Sequence, residues 1–386
     1  MNKSYFLLFV LYLFTNQSIK SQSYQQSLTD AQTNIQAKKY CEALSNFKNA
    51  MSTQEGIAEK NKFVFYTAAV AAGHCNDNRS AIAWLSQAQK NELVSKPEEL
   101  KYIESDSAFV KLHQLPEWVE IITYMKESIS SKQLSEDRLN KKWITSINEN
   151  VANLKNKKIL GSKPTFALYF TKIKDLKVPY LVYVPTKYDY KTPLKTVIYL
   201  HGGVVNTDKF NYENYQIQQE PIFSIGENLN AIVVYPFGKK DFGWVDQQEA
   251  FDNILTIVDQ VQKDFKVDKK NIILGGMSNG GTATFYYASQ KPTIFKGFYA
   301  MSADPNVLLS KIKFENISQG KKLISINAKD DTVYEFKGVE NIYLKNKTTA
   351  KDWEFRSRDE GDHGFIYDPE NGEKAFQNVI KELLEK

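Results

Sequence analysis

Gly276-Met277-Ser278-Asn279-Gly280 is a G-x-S-x-G pentapeptide. It follows the apolar run Ile272-Ile273-Leu274 and precedes a helical pattern, Thr282–Gln290. A serine hydroxyl is a weak nucleophile, but a tight strand-to-helix turn can present it to an acyl carbon, provided a base is near. Side chains two positions before and after the serine would clash in such a turn, which accounts for Gly276 and Gly280. The turn aims the Ser278 hydroxyl out of the sheet. The Asn279 N–H and the helix N-terminus then face any negative charge that develops on a substrate oxygen.

Histidine is the natural base near neutral pH. The chain holds four, His74, His113, His201 and His363. Only His363 lies late in this region, within Gly361-Asp362-His363-Gly364-Phe365, a polar loop after the strand-like Trp353–Arg356. The imidazole needs a carboxylate to fix its tautomer. Asp330 is the expected acid, with its neighbour Asp331 as the alternate, both after the apolar run 323–327. Leu200-His201-Gly202-Gly203-Val204 offers the second donor to an oxyanion, from the N–H of Gly203 or Val204. His201 reads as a brace for that loop through a side-chain hydrogen bond. Phe237, Trp244 and Tyr334 are the aromatic candidates for lining a substrate cleft, Trp244 and Tyr334 foremost, against the alternative that each simply packs in the core.

These residues need a scaffold. From about residue 161 to 386, short apolar runs alternate with helical patterns. The runs are 166–170, 180–184, 196–200, 231–235, 271–275, 297–301, 322–327 and 353–356, and the amphipathic stretches include 251–265, 282–290 and 372–384. The middle runs lack a polar face, so they predict a mostly parallel sheet covered by helices on both sides. The first two have no helix between them and suit an antiparallel pair. The segment 304–319 is short, so no large inserted lid is expected after the sixth strand.

The N-terminal part has a different texture. Lys3, the apolar run 5–14 and the small residues Ser21 and Ser23 have the layout of a secretory signal peptide, residues 1–21. The run is too short to span a bilayer. Residues 24–127 read as helices. Ala43-Leu44, Phe47 and Ala50 recur as Ala81-Ile82, Leu85 and Ala88, displaced by 38 residues. A helical segment precedes each set, so the unit is a helix pair. It resembles tetratricopeptide repeats, whose period is about 34. An extended connection over 53–61 accommodates the longer spacing, and 106–124 is the expected capping element. The polar stretch 128–135 marks a candidate boundary, and residues 128–160 form a linker or helical connection. Cys41 and Cys75 are the two cysteines. Export permits a disulfide between them, and two free thiols packed in a helical core is the alternative.

Hydrophobic content of 42% and charged content of 25% exclude a disordered or collagen-like chain. The leader carries Lys3 and Lys20 and no acid, so its removal lowers the net charge from +5 to +3. A surplus that small, with no basic stripe, points away from nucleic acid. Four histidines and two cysteines make a metal centre unlikely on composition, and no phosphate-binding glycine loop appears, so no cofactor is expected.

The segments VPYLVYVP, TVIYLHGG, AIVVYP, VDKKNIILGGMSNGG, AKDDTV and GDHGF follow one another over residues 165–386. In this order they resemble the α/β-hydrolase superfamily. The likeness is greatest to its secreted branch of feruloyl esterases, acetylxylan esterases and polyhydroxybutyrate depolymerases. Prolyl-oligopeptidase-like peptidases share every one of these pieces. Many relatives have proline where Tyr334 stands, which bears on loop shape beside Asp330. The resemblance implies an α/β-hydrolase fold, the nucleophile–acid–base order Ser278, Asp330, His363, and oxyanion donors from Asn279 and Gly203 or Val204. It implies a secreted, periplasmic or cell-surface serine esterase acting on ester substrates, polymer-linked acyl or feruloyl groups among them. A serine peptidase with the same triad is the alternative. A second alternative is a non-catalytic helical-repeat protein that binds a protein or peptide partner.

Overall fold

The computed structural model describes residues 22–157 and 164–385. The expected signal peptide, 1–21, lies outside the described residues. Two compact units divide at Asp137 and Arg138.

The first unit is helical: α1 (Gln22–Gln36), α2 (Tyr40–Met51), α3 (Gln54–Ile57), α4 (Lys62–His74), α5 (Asn78–Lys90), α6 (Pro97–Ser105) and the start of α7 (Pro116–Lys155). α1 packs on α2, α4 on α5, and α2 on α4. The repeated apolar sets do what their spacing demands: Ala43, Leu44, Phe47 and Ala50 of α2 share one core with Ala81, Leu85 and Ala88 of α5. Their i, i+1, i+4, i+7 spacing places them on one helix face. One local expectation changes. The connection 53–61 is not wholly extended, because Thr53 accepts the Gly56 N–H and caps the short α3. The polar stretch 128–135 is helical, within α7, and the division between the units follows it at Asp137 and Arg138.

Cys41 and Cys75 form a disulfide joining the first turn of α2 to the C-cap of α4. The alternative of free thiols is therefore set aside. In the chain-entropy account, closing a loop across the sequence separation of 34 contributes about 3–4 kcal/mol.

The second unit is built on one eight-stranded sheet: β1 (Thr165–Ile173), β2 (Leu176–Val184), β3 (Leu194–Leu200), β4 (Ile232–Pro236), β5 (Val267–Met277), β6 (Gly297–Met301), β7 (Leu323–Ala328) and β8 (Trp353–Arg358). The order is β1-β2-β4-β3-β5-β6-β7-β8. β1 and β2 pair antiparallel, β2 runs antiparallel to β4, and β4 through β8 are parallel. Each sequence run falls within or beside one of these strands.

Alternation along the strands feeds two cores. Ile198, Leu200, Ile272 and Leu274 face one side, and Val197, Tyr199 and Ile273 face the other. A strand with both faces buried reads as continuous apolar sequence for this reason. On the first side lie α9 (Gln248–Asp264) and α10 (Asn279–Gln290), with Phe251, Ile254, Ile257, Val258 and Val261 forming the α9 stripe. On the second lie α8 (Pro221–Asn228) and α12 (Gly372–Glu385), the latter through Phe376, Val379, Ile380 and Leu383. α11 (Phe336–Asn346) links β7 to β8. The parallel strands β3 to β8 end on one edge, and the loops leaving that edge carry the site.

Candidate active site

β5 passes into α10 through Ser278, whose backbone sits at φ 54° and ψ −120°. A non-glycine residue at positive φ is strained, and here the strain turns the nucleophile's side chain off the sheet edge. The flanking glycines make the bend possible by contact. A Cβ on Gly280 would lie 1.8 Å from the Leu200 carbonyl oxygen, and one on Gly276 would lie 2.1 Å from the same oxygen. The Ser278 N–H donates to the Met301 carbonyl at 2.9 Å, which pins the bend to β6.

Asn279 is the first residue of α10, where backbone N–H groups lack an intrahelical acceptor. The loop after β3 passes over the nucleophile: a Cβ on Gly202 would come within 3.0 Å of Ser278 Cβ. Gly203 follows in the left-handed region at φ 70°, with open space where its side chain would be. Val204 is buried and opens a short 3-10 turn.

His201 holds this loop. Its Nδ1–H donates to the Gly202 carbonyl at 2.6 Å, and its Nε2 accepts the Gly238 N–H at 3.1 Å. One nitrogen donating and the other accepting fixes the neutral ring. Burial among Tyr235, Phe237 and Trp244 favours the same form and lowers its pKa to about 4. His201 is thus a brace, as its place in the sequence suggests. Trp244 corrects an expectation. It is only 1% exposed, and its Nε1–H donates to the His201 carbonyl at 3.2 Å. It supports the loop from within the core and does not line a cleft. Phe237 is buried likewise.

The candidate base and acid come from the loops after β8 and β7. His363 Nδ1 lies 2.9 and 3.1 Å from the two carboxylate oxygens of Asp331. An ionised carboxylate only accepts, so Nδ1 carries the proton and Nε2 is left to receive one. The Asp331 side chain is fully buried and also accepts the N–H groups of Val333 and Tyr334, each at 2.8 Å. Asp330 therefore does not sit behind the imidazole. Its carboxylate turns to the base loop and accepts the N–H groups of Gly361 at 3.1 Å and Asp362 at 2.8 Å. Asp362 returns the clasp, accepting the Thr332 N–H at 2.8 Å and its hydroxyl at 2.9 Å. Adjacent residues leaving a strand point different ways. One acid lies under the ring and the other across the gap, and two neighbouring aspartates give a sequence no means of choosing.

Tyr334 is half-buried at the centre of the group. Its ring stands edge-on to His363, with centroids 5.1 Å apart, and its hydroxyl accepts the Nδ2–H of Asn279, the residue after Ser278, at 3.2 Å. Among the described residues no hydrogen bond joins Ser278 Oγ to the imidazole, a common state of a catalytic pair before substrate arrives. Two supporting residues had no signal in the sequence: Asp362, and Ser302, whose hydroxyl donates to the His363 carbonyl at 2.7 Å.

A bent serine after the central parallel strand β5, with an acid after β7 and a histidine after β8, decides the architecture. The second unit has the α/β-hydrolase fold. Residues 245–349 match the model of the prolyl oligopeptidase family. Over 167 residues the chain is 28% identical to a bifunctional acetylxylan esterase/xylanase of Neocallimastix patriciarum, a match covering 43% of this chain and 23% of that protein. The chain thus spans less than a quarter of that relative's length. Among solved structures it is similar to a fluorophosphonate-binding serine hydrolase of Staphylococcus aureus, with 18% identity and a TM-score of 0.47 over 58% of this chain and 100% of that one. It is also similar to a ferulic acid esterase, with 18% identity and a TM-score of 0.45 over 58% and 98%. Among the described residues no cluster of potential metal ligands occurs, and no helix is long and apolar enough to cross a membrane.

Proposed function

We propose that this protein is an exported serine hydrolase that cleaves carboxylic esters, with acylated polysaccharide as its substrate class. One observation carries the reading: a strained Ser278 at the turn from β5 into α10, on the same sheet edge as a histidine whose Nδ1–H is held by a buried carboxylate. In the proposed reaction His363 Nε2 takes the Ser278 proton as Oγ attacks the ester carbonyl. Asp331 stabilises the imidazolium that forms. The N–H groups of Asn279 and of Gly203 or Val204 receive the oxyanion. His363 then protonates the leaving alcohol, and afterwards activates water against the acyl-enzyme.

Several features support the finer points. The acetylxylan esterase/xylanase relative favours an acyl ester on a polysaccharide. Exposed Val205, Val307, Leu309 and Val333 stand on the loops after β3, β6 and β7, at the sheet edge that carries Ser278, and offer apolar surface to a bulky substrate. The Cys41–Cys75 disulfide suits an oxidising compartment and, with the leader-like residues 1–21, favours export. The helix pairs α1–α2 and α4–α5 fit a tetratricopeptide-like unit with a protein or peptide partner.

The match to the prolyl oligopeptidase family favours a second reading, a serine peptidase with the same triad. Parallel assays of the mature chain on p-nitrophenyl acetate, acetylated xylan and a peptide anilide separate the two. The esterase reading predicts release of nitrophenol and of acetate from xylan, with the anilide untouched. Anilide cleavage that outpaces ester cleavage overturns it in favour of the peptidase. Turnover of none of the three leaves a binding protein.

A further inference from the structure

Tyr334 adjoins the candidate triad on three sides. Its N–H donates to Asp331 Oδ1 at 2.8 Å, its ring meets the edge of His363, and its hydroxyl is bound to the side chain of Asn279, the residue after Ser278. The chemistry of that hydroxyl follows from counting protons around it. Asn279 Nδ2–H donates to it at 3.2 Å, so one of its lone pairs is taken. The Thr282 hydroxyl sends its own proton to the Asp304 carbonyl at 3.0 Å. Among the described residues the phenol itself donates no hydrogen bond, so its proton is available to an oxygen that gains charge beside it. Burial raises the phenol's pKa, which favours the protonated form that can donate.

Resting on the proposed Ser278 acyl-enzyme, we propose that Tyr334 is a further catalytic residue whose O–H donates a hydrogen bond to Ser278 Oγ as that oxygen leaves the acyl group. In acylation Oγ gives its lone pair to the carbonyl carbon, and a donor on Oγ contributes little. In deacylation water has added to the acyl carbon, with its proton on His363. The C–Oγ bond then breaks and its electron pair returns to Oγ. The proton passes from His363 Nε2 to Oγ, the product acid departs, and Tyr334 retains its own proton throughout. A fixed donor aimed at a developing alkoxide stabilises that step selectively.

The test is Tyr334→Phe, which removes one oxygen and keeps the ring against His363, followed with p-nitrophenyl acetate in stopped flow. A hydrogen bond to a developing charge corresponds to a fall in kcat on the order of 10- to 100-fold. KM falls with it, and kcat/KM, which reports acylation alone, stays within about threefold of wild type. A burst of nitrophenol approaching one equivalent per enzyme appears, because acyl-enzyme accumulates. Unchanged kcat, or a kcat/KM that falls as far as kcat with no burst, overturns the proposal. A fluorophosphonate probe on the same variant reports the integrity of the site independently of deacylation. Labelling at the wild-type rate with no change in kcat defeats the Tyr334 role alone. A wild-type protein whose Ser278 takes no label defeats the acyl-enzyme reading, and the Tyr334 role with it.

Discussion

The Ser302 hydroxyl donates to the backbone carbonyl of His363 at 2.7 Å, while its neighbour Met301 accepts the Ser278 N–H at 2.9 Å. Two consecutive residues at the end of β6 therefore hold the loop of the base and the bend of the nucleophile. Their spacing is set by one strand end and not by two independent loops.

Ser302 adopts φ 45°, a left-handed conformation that costs a serine about 1 kcal/mol or more. Ser302→Ala keeps the strain and loses the hydroxyl, and Ser302→Gly loses both. Each is expected to lower kcat/KM for an aryl ester roughly 5-fold, the worth of about 1 kcal/mol of hydrogen bonding. In thermal melts the glycine variant should be the more stable of the two. Full activity in Ser302→Gly means that the hydroxyl does not position His363.

The two aspartates separate cleanly by variant. Asp331→Asn leaves the imidazole without its carboxylate and is expected to cost on the order of 10⁴-fold in kcat with the fold intact. Asp330→Asn weakens the clasp on Gly361 and Asp362 and is expected to cost roughly 1–3 kcal/mol of stability with a smaller loss of rate. Steady-state kinetics alongside denaturant unfolding reads both, and a reversed pattern returns the catalytic role to Asp330.

His201 makes stability depend on pH. Burial depresses its folded pKa to about 4 from the ordinary histidine value of 6.5. Between those values the unfolded chain binds a proton that the folded protein refuses, so stability falls as pH drops from 6.5 towards 4. The loss attributable to this ring is up to roughly 3 kcal/mol, and it levels off below pH 4. Urea unfolding across that window is expected to show a shallower slope for His201→Gln than for wild type. Parallel slopes would show that the ring's protonation does not matter to the fold.

Much of this was legible from residue type and spacing. Doubly apolar runs such as Ile272-Ile273-Leu274 mark a central strand because both faces are buried, and glycines at fixed distance from Ser278 mark the bend. Each such signal is local. What escaped is non-local or finer than one residue. Whether Asp330 or Asp331 lies under His363 depends on how the chain turns after Ala328, and both are the same residue type. Trp244 has the chemistry of a cleft residue and the position of a core residue, and its burial and its bond to the His201 carbonyl distinguish them. Ser302 is an ordinary serine until the loop of His363, far along the chain, comes to rest on it. The helix through 128–135 was hidden because polar residues on an exposed helix read like those of a linker.

The most direct test of the account is the site of reaction with a fluorophosphonate probe, mapped by mass spectrometry on the folded protein. The account predicts one equivalent of label on Ser278, none on Ser278→Ala, and loss of ester hydrolysis in that variant. A folded wild-type protein that takes no label at Ser278, or a Ser278→Ala variant that hydrolyses p-nitrophenyl acetate at the wild-type rate, would contradict it.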